Sequence, residues 1–192
     1  IQEEVEGYVV HNNGYAMVKI FPKLEELKEG DNNFGIVAIN SVDCSSSIMI
    51  RFIIRKGDLQ FYFPAKIAGL KKNHYGNVNI VTQNYISVVN SVKHLWIRIV
   101  NEFPKYKIVL NEEPGQYNLP LSQVADQLDI KPRTLNKLKT QIQTNNDYTL
   151  WDLFIKIVEL TSDKEYKSDI SREVRLDKIC QKIFEYSVMM GI

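Results

Sequence analysis

Apolar positions along the chain change rhythm twice. Up to Phe63 they fall in short runs of β-branched and aromatic residues bounded by turn-forming types, which is the pattern of strands. YVVH and YAMVKIF meet at Asn12, Asn13 and Gly14, residue types that tolerate the positive φ of a tight turn, so Gly7 to Ile20 predicts a hairpin. Pro22 opens PKLEELKEG, which predicts a short acidic helix closing at Gly30. Phe34 to Asn40 and Ile48 to Ile54 predict two more strands, and Gly57 with Asp58 turns the second into LQFYF as an antiparallel ladder. After Pro64 a polar loop is expected through Gly69, Lys71, Lys72, Asn73, His74, Tyr75, Gly76 and Asn77.

From Val81 to Val100 the period becomes helical. Tyr85, Val88, Val89, Val92, Trp96 and Ile99 share one face, while Ser87, Ser91, His94 and Arg98 share the other. The many β-branched residues pull towards strand; the spacing favours a helix, roughly 30 Å long at the usual rise. Pro104, Pro114, Gly115 and Pro120 then punctuate the stretch from Phe103 to Leu121, where KYKIVLNE has room for one strand. Beyond Leu121 every periodic signal is helical. In NDYTLWDLFIKIVEL, Thr149 and Asp152 resemble a capping box ahead of an apolar face of Trp151, Phe154, Ile155 and Val158. A last helix from Ser171 to Met189 is expected to turn Val174, Ile179, Ile183 and Phe184 inward and Lys178, Lys182 and Glu185 outward. The fold class that follows is α+β: residues 1–103 an antiparallel sheet with a packed helix, 104–120 a linker or extra strand, and 121–192 a helical C-terminal part.

Composition bounds the chemistry. At 192 residues, with 44% hydrophobic and 24% charged residues, the chain can bury a core and leaves no case for long disorder. Cys44 and Cys180 are too far apart for a metal-ligand pair, which fits thiols in a reducing compartment, and the three scattered histidines add no ligand set. Neither a metal nor another cofactor is expected. No apolar run approaches the ~20 residues of a membrane span, and IQEEVEG is too acidic for a signal peptide, so a soluble cytoplasmic protein is expected.

Net charge is +1, but the charges are unevenly spread. Seven acids face three lysines between Ile1 and Asp31, whereas Leu59 to Asn101 holds no acid at all. That second stretch carries Lys66, Lys71, Lys72, Lys93 and Arg98, with Phe61, Tyr62, Phe63, Tyr75, Tyr85 and Trp96 between them. Cations that displace counterions and rings that stack on bases are the chemistry of a nucleic-acid surface. A buried sheet and helix would also be poor in charge, so the pattern has a purely structural reading beside the functional one.

The sharpest local pattern is LSQVADQLDIKPRTLNKLKTQI. Val124, Ala125, Leu128, Ile130, Leu135 and Leu138 occupy the apolar positions of a helix-turn-helix, with Lys131, Pro132, Arg133 and Thr134 as turn and cap. Its second helix would offer Arg133, Asn136, Lys137, Lys139 and Gln143, and no acid lies between Asp129 and Asp147. Asp129 stands where glycine is usual, and an aspartate accepts left-handed backbone better than most residues. A plain helical hairpin with a solvated basic face is the alternative.

The run from Asn40 to Ser47 reads as a turn whose Asx and Ser side chains bond locally, and nothing in its spacing makes Asp43 and Cys44 a nucleophilic site with His11, His74 or His94. Catalytic residues are therefore not expected. NSVDCSSSIMIRF, KKNHYGN and TLWDLF, in that order, resemble the phage/plasmid-like proteins of prophages and plasmids, a family of unknown function. The counterparts are Asn40 to Ser47, Lys72 to Asn77 and Thr149 to Leu153, over about residues 30–165, with Val42 and Cys44 departing from the family's His and Gly. The resemblance implies a mobile-element origin and work on nucleic acid or host factors, with the helical end integral to the fold.

The sequence thus points to a non-enzymatic nucleic-acid-binding protein, DNA or RNA, contacting its partner through Lys66, Lys71, Lys72, His74, Tyr75, Lys93 and Arg98 and through Lys131, Arg133, Asn136, Lys137 and Lys139. Two alternatives stand beside it. One is an interaction protein that binds a host defence or replication factor through the acidic start or the last helix, which also suits a homo-oligomer interface. The other is a sequence-specific helix-turn-helix regulator.

Overall fold

The structure, a computed structural model, describes residues 3–10, 15–22, 28–29, 31–41, 48–64, 69–72, 85–110, 114–145, 147–162 and 169–192. The fold is α+β, an antiparallel sheet followed by a helical C-terminal part. The chain divides into two units, Ile1–His94 and Leu95–Ile192.

In the first unit β1 (Glu3–Val10) and β2 (Tyr15–Pro22) pair antiparallel from Glu3 opposite Pro22 to Val10 opposite Tyr15. This is the expected hairpin; its Asn12, Asn13 and Gly14 turn lies outside the described residues. β4 (Asn32–Ser41) follows β2, and β5 (Ile48–Lys56) follows β4. β6 (Leu59–Tyr62) returns along β5 through Gly57 and Asp58, and Gly57 takes φ 57°, the positive value that a two-residue hairpin needs at its first turn residue. Two elements differ from the sequence reading. Lys28–Glu29, expected as the end of an acidic helix, is instead β3, paired with Asn32 and Asn33; residues 23–27 lie outside the described residues. Gly69–Lys72, expected as loop, is β7, which pairs with Ile48 to Arg51 while β6 takes Ile53 to Lys56. The backbone groups along that edge of β5 need partners, and this demand overrides the weak strand propensity of GLKK.

β5 is central, so Phe52, Ile53 and Ile54 are all buried on both of its faces. Alternation is clean on β2, where Met17, Lys19 and Phe21 are buried and Val18 and Ile20 only partly so. Phe21 packs over Gly35, where an added Cβ would lie 2.6 Å from the Ile20 carbonyl oxygen and 2.6 Å from the Phe21 ring. Helix α1 (Tyr85–Glu102) begins in this unit, with Val92 buried and the Lys93 ammonium 5.7 Å from the centre of the Phe34 ring.

Along α1 Val92, Trp96 and Ile99 are buried, and Ser91 and His94 of the first unit and Arg98 of the second are exposed, the division the 3.6 period predicted. A 3-10 turn at Phe103–Lys105 leads to β8 (Lys107–Val109), the extra strand anticipated in KYKIVLNE. β8 pairs in parallel with β9 (Asn118–Pro120), which runs directly into α2 (Leu121–Leu128). Its other side bridges Thr149, with the Ile108 N–H on the Tyr148 carbonyl at 2.8 Å. One three-residue strand therefore sets the start of α2 and the start of α4 (Leu150–Ser162); α3 (Pro132–Thr144) lies between them in sequence. The capping box at α4 is complete. The Asp152 N–H donates to Thr149 Oγ1 at 3.2 Å, and the Thr149 N–H and hydroxyl donate to Asp152 Oδ2 at 2.9 and 2.7 Å.

The last helix, α5 (Asp169–Met189), is phased differently from expectation. Glu173, Leu176, Cys180, Ile183, Phe184 and Ser187 form its buried stripe, and Val174, expected inward, is 46% exposed. Val174 adjoins Glu173, whose carboxylate is 5% exposed and lies 3.9 Å from Arg172, so the stripe tolerates an acid and leaves the valine outside.

Two substitutions test this packing. Gly35→Ala should cost about 1–3 kcal/mol, because backbone rather than a flexible side chain must yield, and far-ultraviolet circular dichroism in urea should show an earlier transition. Thr149→Ala should cost about 1 kcal/mol through loss of the cap, lowering the urea midpoint followed by tryptophan fluorescence.

Candidate nucleic-acid interface

α2 buries Leu121, Val124, Ala125 and Leu128 and exposes Ser122, Gln123, Asp126 and Gln127, so one side is committed to the interior. The helix ends at Asp129, whose φ of 53° and ψ of 48° are left-handed. The Ile130 N–H reaches back to the Ala125 carbonyl at 2.9 Å and the Asp129 N–H to the Asp126 carbonyl at 3.2 Å, closing the helix as a Schellman motif that glycine usually supplies. Aspartate is among the few residues besides glycine that adopt this backbone, and its carboxylate accepts from Lys182 Nζ at 2.8 Å. That hydrogen bond and the ammonium charge hold the Asp129 carboxyl below its ordinary range.

Lys131 is the N-cap of α3 and Pro132 its first residue, where the missing N–H costs nothing and φ is preset for the helix. The Lys131 carbonyl accepts the Leu135 N–H at 2.9 Å, the first bond of the helix. Leu138 and Ile142 are buried, and α3 packs against α4 through that side. Arg133, Asn136, Lys137 and Thr140 are exposed at the spacing i, i+3, i+4, i+7, a single stripe, with Lys131 and Lys139 exposed beside it. Among the described residues none of Arg133, Lys137 and Lys139 is held by a carboxylate. Other lysines of the unit are: Lys105 by Glu102, Lys107 by Asp147, Lys156 by Glu159 and Lys182 by Asp129, all at 2.7–2.8 Å. A helix of 13 residues is about 20 Å long, and this one carries cations along its outer side without local neutralisation.

The acid-free stretch of the first 101 residues fares differently. Lys66, His74 and Tyr75 lie outside the described residues, as does most of the run from Asn40 to Ser47. Lys71 and Lys72 are on β7, opposite Met49 and Ile48. Lys93 belongs to the first unit and sits over Phe34, while Arg98 belongs to the second and donates to the Gly191 carbonyl at 3.3 Å. Four rings of this stretch offer no stacking face, since Phe61, Phe63 and Trp96 are fully buried and Tyr62 nearly so; Tyr75, the ring expected to stack, lies outside the described residues. Their burial gives the ordinary reason for the lack of acids around them.

Lys19 is a feature the sequence reading passed over. It is 1% exposed, donates to Gln60 Oε1 at 2.6 Å and lies 5.7 Å from the Tyr62 ring centre. Its only signal is a lysine between Met17 and Phe21 on the inward side of an alternating strand. Among the described residues no group of three or more His, Cys, Asp or Glu is gathered as a metal site would need, and no helix is long and apolar enough to cross a membrane. No family model, curated protein or solved structure compared with the chain matches it.

The Asp129 pair carries a pH dependence of definite sign. Its carboxyl is lowered in the folded chain, so the stability it adds is present above the unfolded value and is lost as pH falls through the folded one. A carboxyl-carbon NMR titration should place Asp129 below ordinary aspartates, and Lys182→Met should return it upward.

Proposed function

We propose that this chain is a non-enzymatic nucleic-acid-binding protein that lays α3 against duplex DNA. The observation that carries the reading is the stripe of Arg133, Asn136 and Lys137 on a helix whose opposite side is buried and whose entry is set by the left-handed turn at Asp129. The major groove is about 12 Å wide and admits an α-helix, and helix-turn-helix proteins direct the first turns of their second helix at base edges. In that role Arg133 suits the acceptors of guanine and Asn136 the donor and acceptor of adenine. Lys131, Lys137 and Lys139 suit phosphates, which give affinity without sequence. A sequence-specific regulator would add a dimer on half-sites about 34 Å apart. Origin in a phage, prophage or plasmid rests on the sequence resemblance, of which Thr149 to Leu153 forms the cap and first turn of α4.

Fluorescence anisotropy of the full chain with duplex DNA, single-stranded DNA and RNA across a salt series tests the proposal. Duplex DNA should bind best, and Arg133→Glu with Lys137→Glu should weaken it and flatten the salt slope by about 1, the phosphate contact of Lys137. Unchanged affinity in that variant would overturn the α3 assignment. Weakening by Lys71→Glu with Lys72→Glu alone would move the contact to the first unit.

A further inference from the structure

Among the described residues four large apolar side chains stand in solvent, and three of them, Val174, Val188 and Met189, belong to α5, at 46, 61 and 60% exposure. They share one side of that helix. Val174, Lys178, Gln181, Glu185 and Val188 recur at i, i+4, i+7, i+11 and i+14, the spacing of a seam between two helices, and Met189 adjoins the last of them. Leu176, Cys180, Ile183 and Ser187 are buried on the opposite side, so the seam faces outward from the helical unit. Lys178 and Glu185 are both exposed on it, and Gln181 Nε2 donates to Glu185 Oε1 at 2.9 Å, which orders that carboxylate along the stripe.

The order along this stripe is symmetric about its middle. Val174 lies seven residues before Gln181 and Val188 seven after; Lys178 lies three before it and Glu185 four after. We infer that α5 docks on α5 of a second copy of this chain, antiparallel, about a two-fold axis at Gln181. Each Val174 then meets the other copy's Val188, and each Lys178 the other copy's Glu185, offset by about 1.5 Å along the axis, which a lysine side chain spans. The same patch serves both copies, as a closed two-fold pair demands. Parallel pairing would set lysine on lysine and glutamate on glutamate, which is repulsive. Lys182, at the edge of the stripe and near its own mate in this arrangement, already has a counter-charge in Asp129 at 2.8 Å. Nucleic acid would be repelled by Glu185, and a membrane surface would have to take both charges into its apolar layer. A partner with acid and base in reverse order answers the stripe, and this chain carries that order itself. One helix from each copy buries less than the ~1,200 Å² of a standard interface, so monomer and dimer exchange. The inference does not rest on the α3 proposal and uses none of its side chains.

Sedimentation equilibrium of the full chain, from micromolar to submillimolar and without nucleic acid, tests it. The chain should pass reversibly from monomer to dimer and no further. Lys178→Glu and Glu185→Lys should each weaken the dimer at least tenfold, because symmetry makes every charge reversal count twice. An equimolar mixture of these two variants should associate as the parent does, since the mixed pair alone sets each acid against a base. Val188→Ser with Met189→Ser should also weaken the dimer while far-ultraviolet circular dichroism stays native. Should a single charge variant be poorly folded, Lys178→Glu with Glu185→Lys in one chain should still dimerise like the parent. The inference is overturned if the chain stays monomeric throughout, if a folded single charge variant dimerises unchanged, or if the mixture or the double exchange fails to associate. Dimerisation by a chain that ignores every oligonucleotide would uphold this surface and sink the α3 proposal alone. Duplex binding by a chain that is monomeric at every concentration would do the reverse.

Discussion

Trp96 is fully buried, edge-on to Trp151 at 5.7 Å and to Phe154 at 6.4 Å, and Phe154 in turn meets Phe103 at 6.0 Å. Such rings each remove about 150–250 Å² from water, and edge-to-face pairs add roughly 0.5–1.5 kcal/mol beyond that burial. This cluster ties the end of α1 and the turn after it to α4. Helix α4 then supplies the surface on which Leu138 and Ile142 seat α3. The cations of α3 stand outward because its apolar side is spoken for. The helical unit therefore depends on a ring, Trp96, that a reading of charge and aromaticity alone would have assigned to a ligand.

Local chemistry was legible where a residue type answers a local backbone demand. Gly57 in its turn, Pro132 at the head of α3, the Thr149 and Asp152 cap and the left-handed Asp129 all follow from φ preferences and the orphan groups of helix ends. The inward face of α1 was readable from its period for the same reason. What could not be read came from partners distant in sequence. β7 exists because one edge of β5 needed hydrogen bonds, and β3 because Asn32 and Asn33 needed them. Val174 faces out because the helix phase is set by Leu176, Cys180 and Ile183 together, which one apolar residue cannot reveal. Lys19 is the extreme case, a charged side chain placed inside by alternation and met there by Gln60, which lies on β6.

Charge in the helical unit is sorted by engagement more than by number. Lysines near acids are bound to them, at Glu102, Asp147, Glu159 and Asp129, and contribute little to an external field. On α3 the absence of acids over a long stretch leaves the cations to solvent. The Asp129 ion pair lies between these two regimes: it links α5 to the turn at the surface and leaves Lys182 engaged.

Both tryptophans of the chain, Trp96 and Trp151, belong to the second unit and touch each other, while the first unit has tyrosine and phenylalanine alone. Indole emission is consequently a private reporter. A denaturation curve read by fluorescence sees the helices lose their ring cluster and stays blind to the sheet, whereas a backbone signal sums the two, so any gap between the curves measures directly how independently the halves melt.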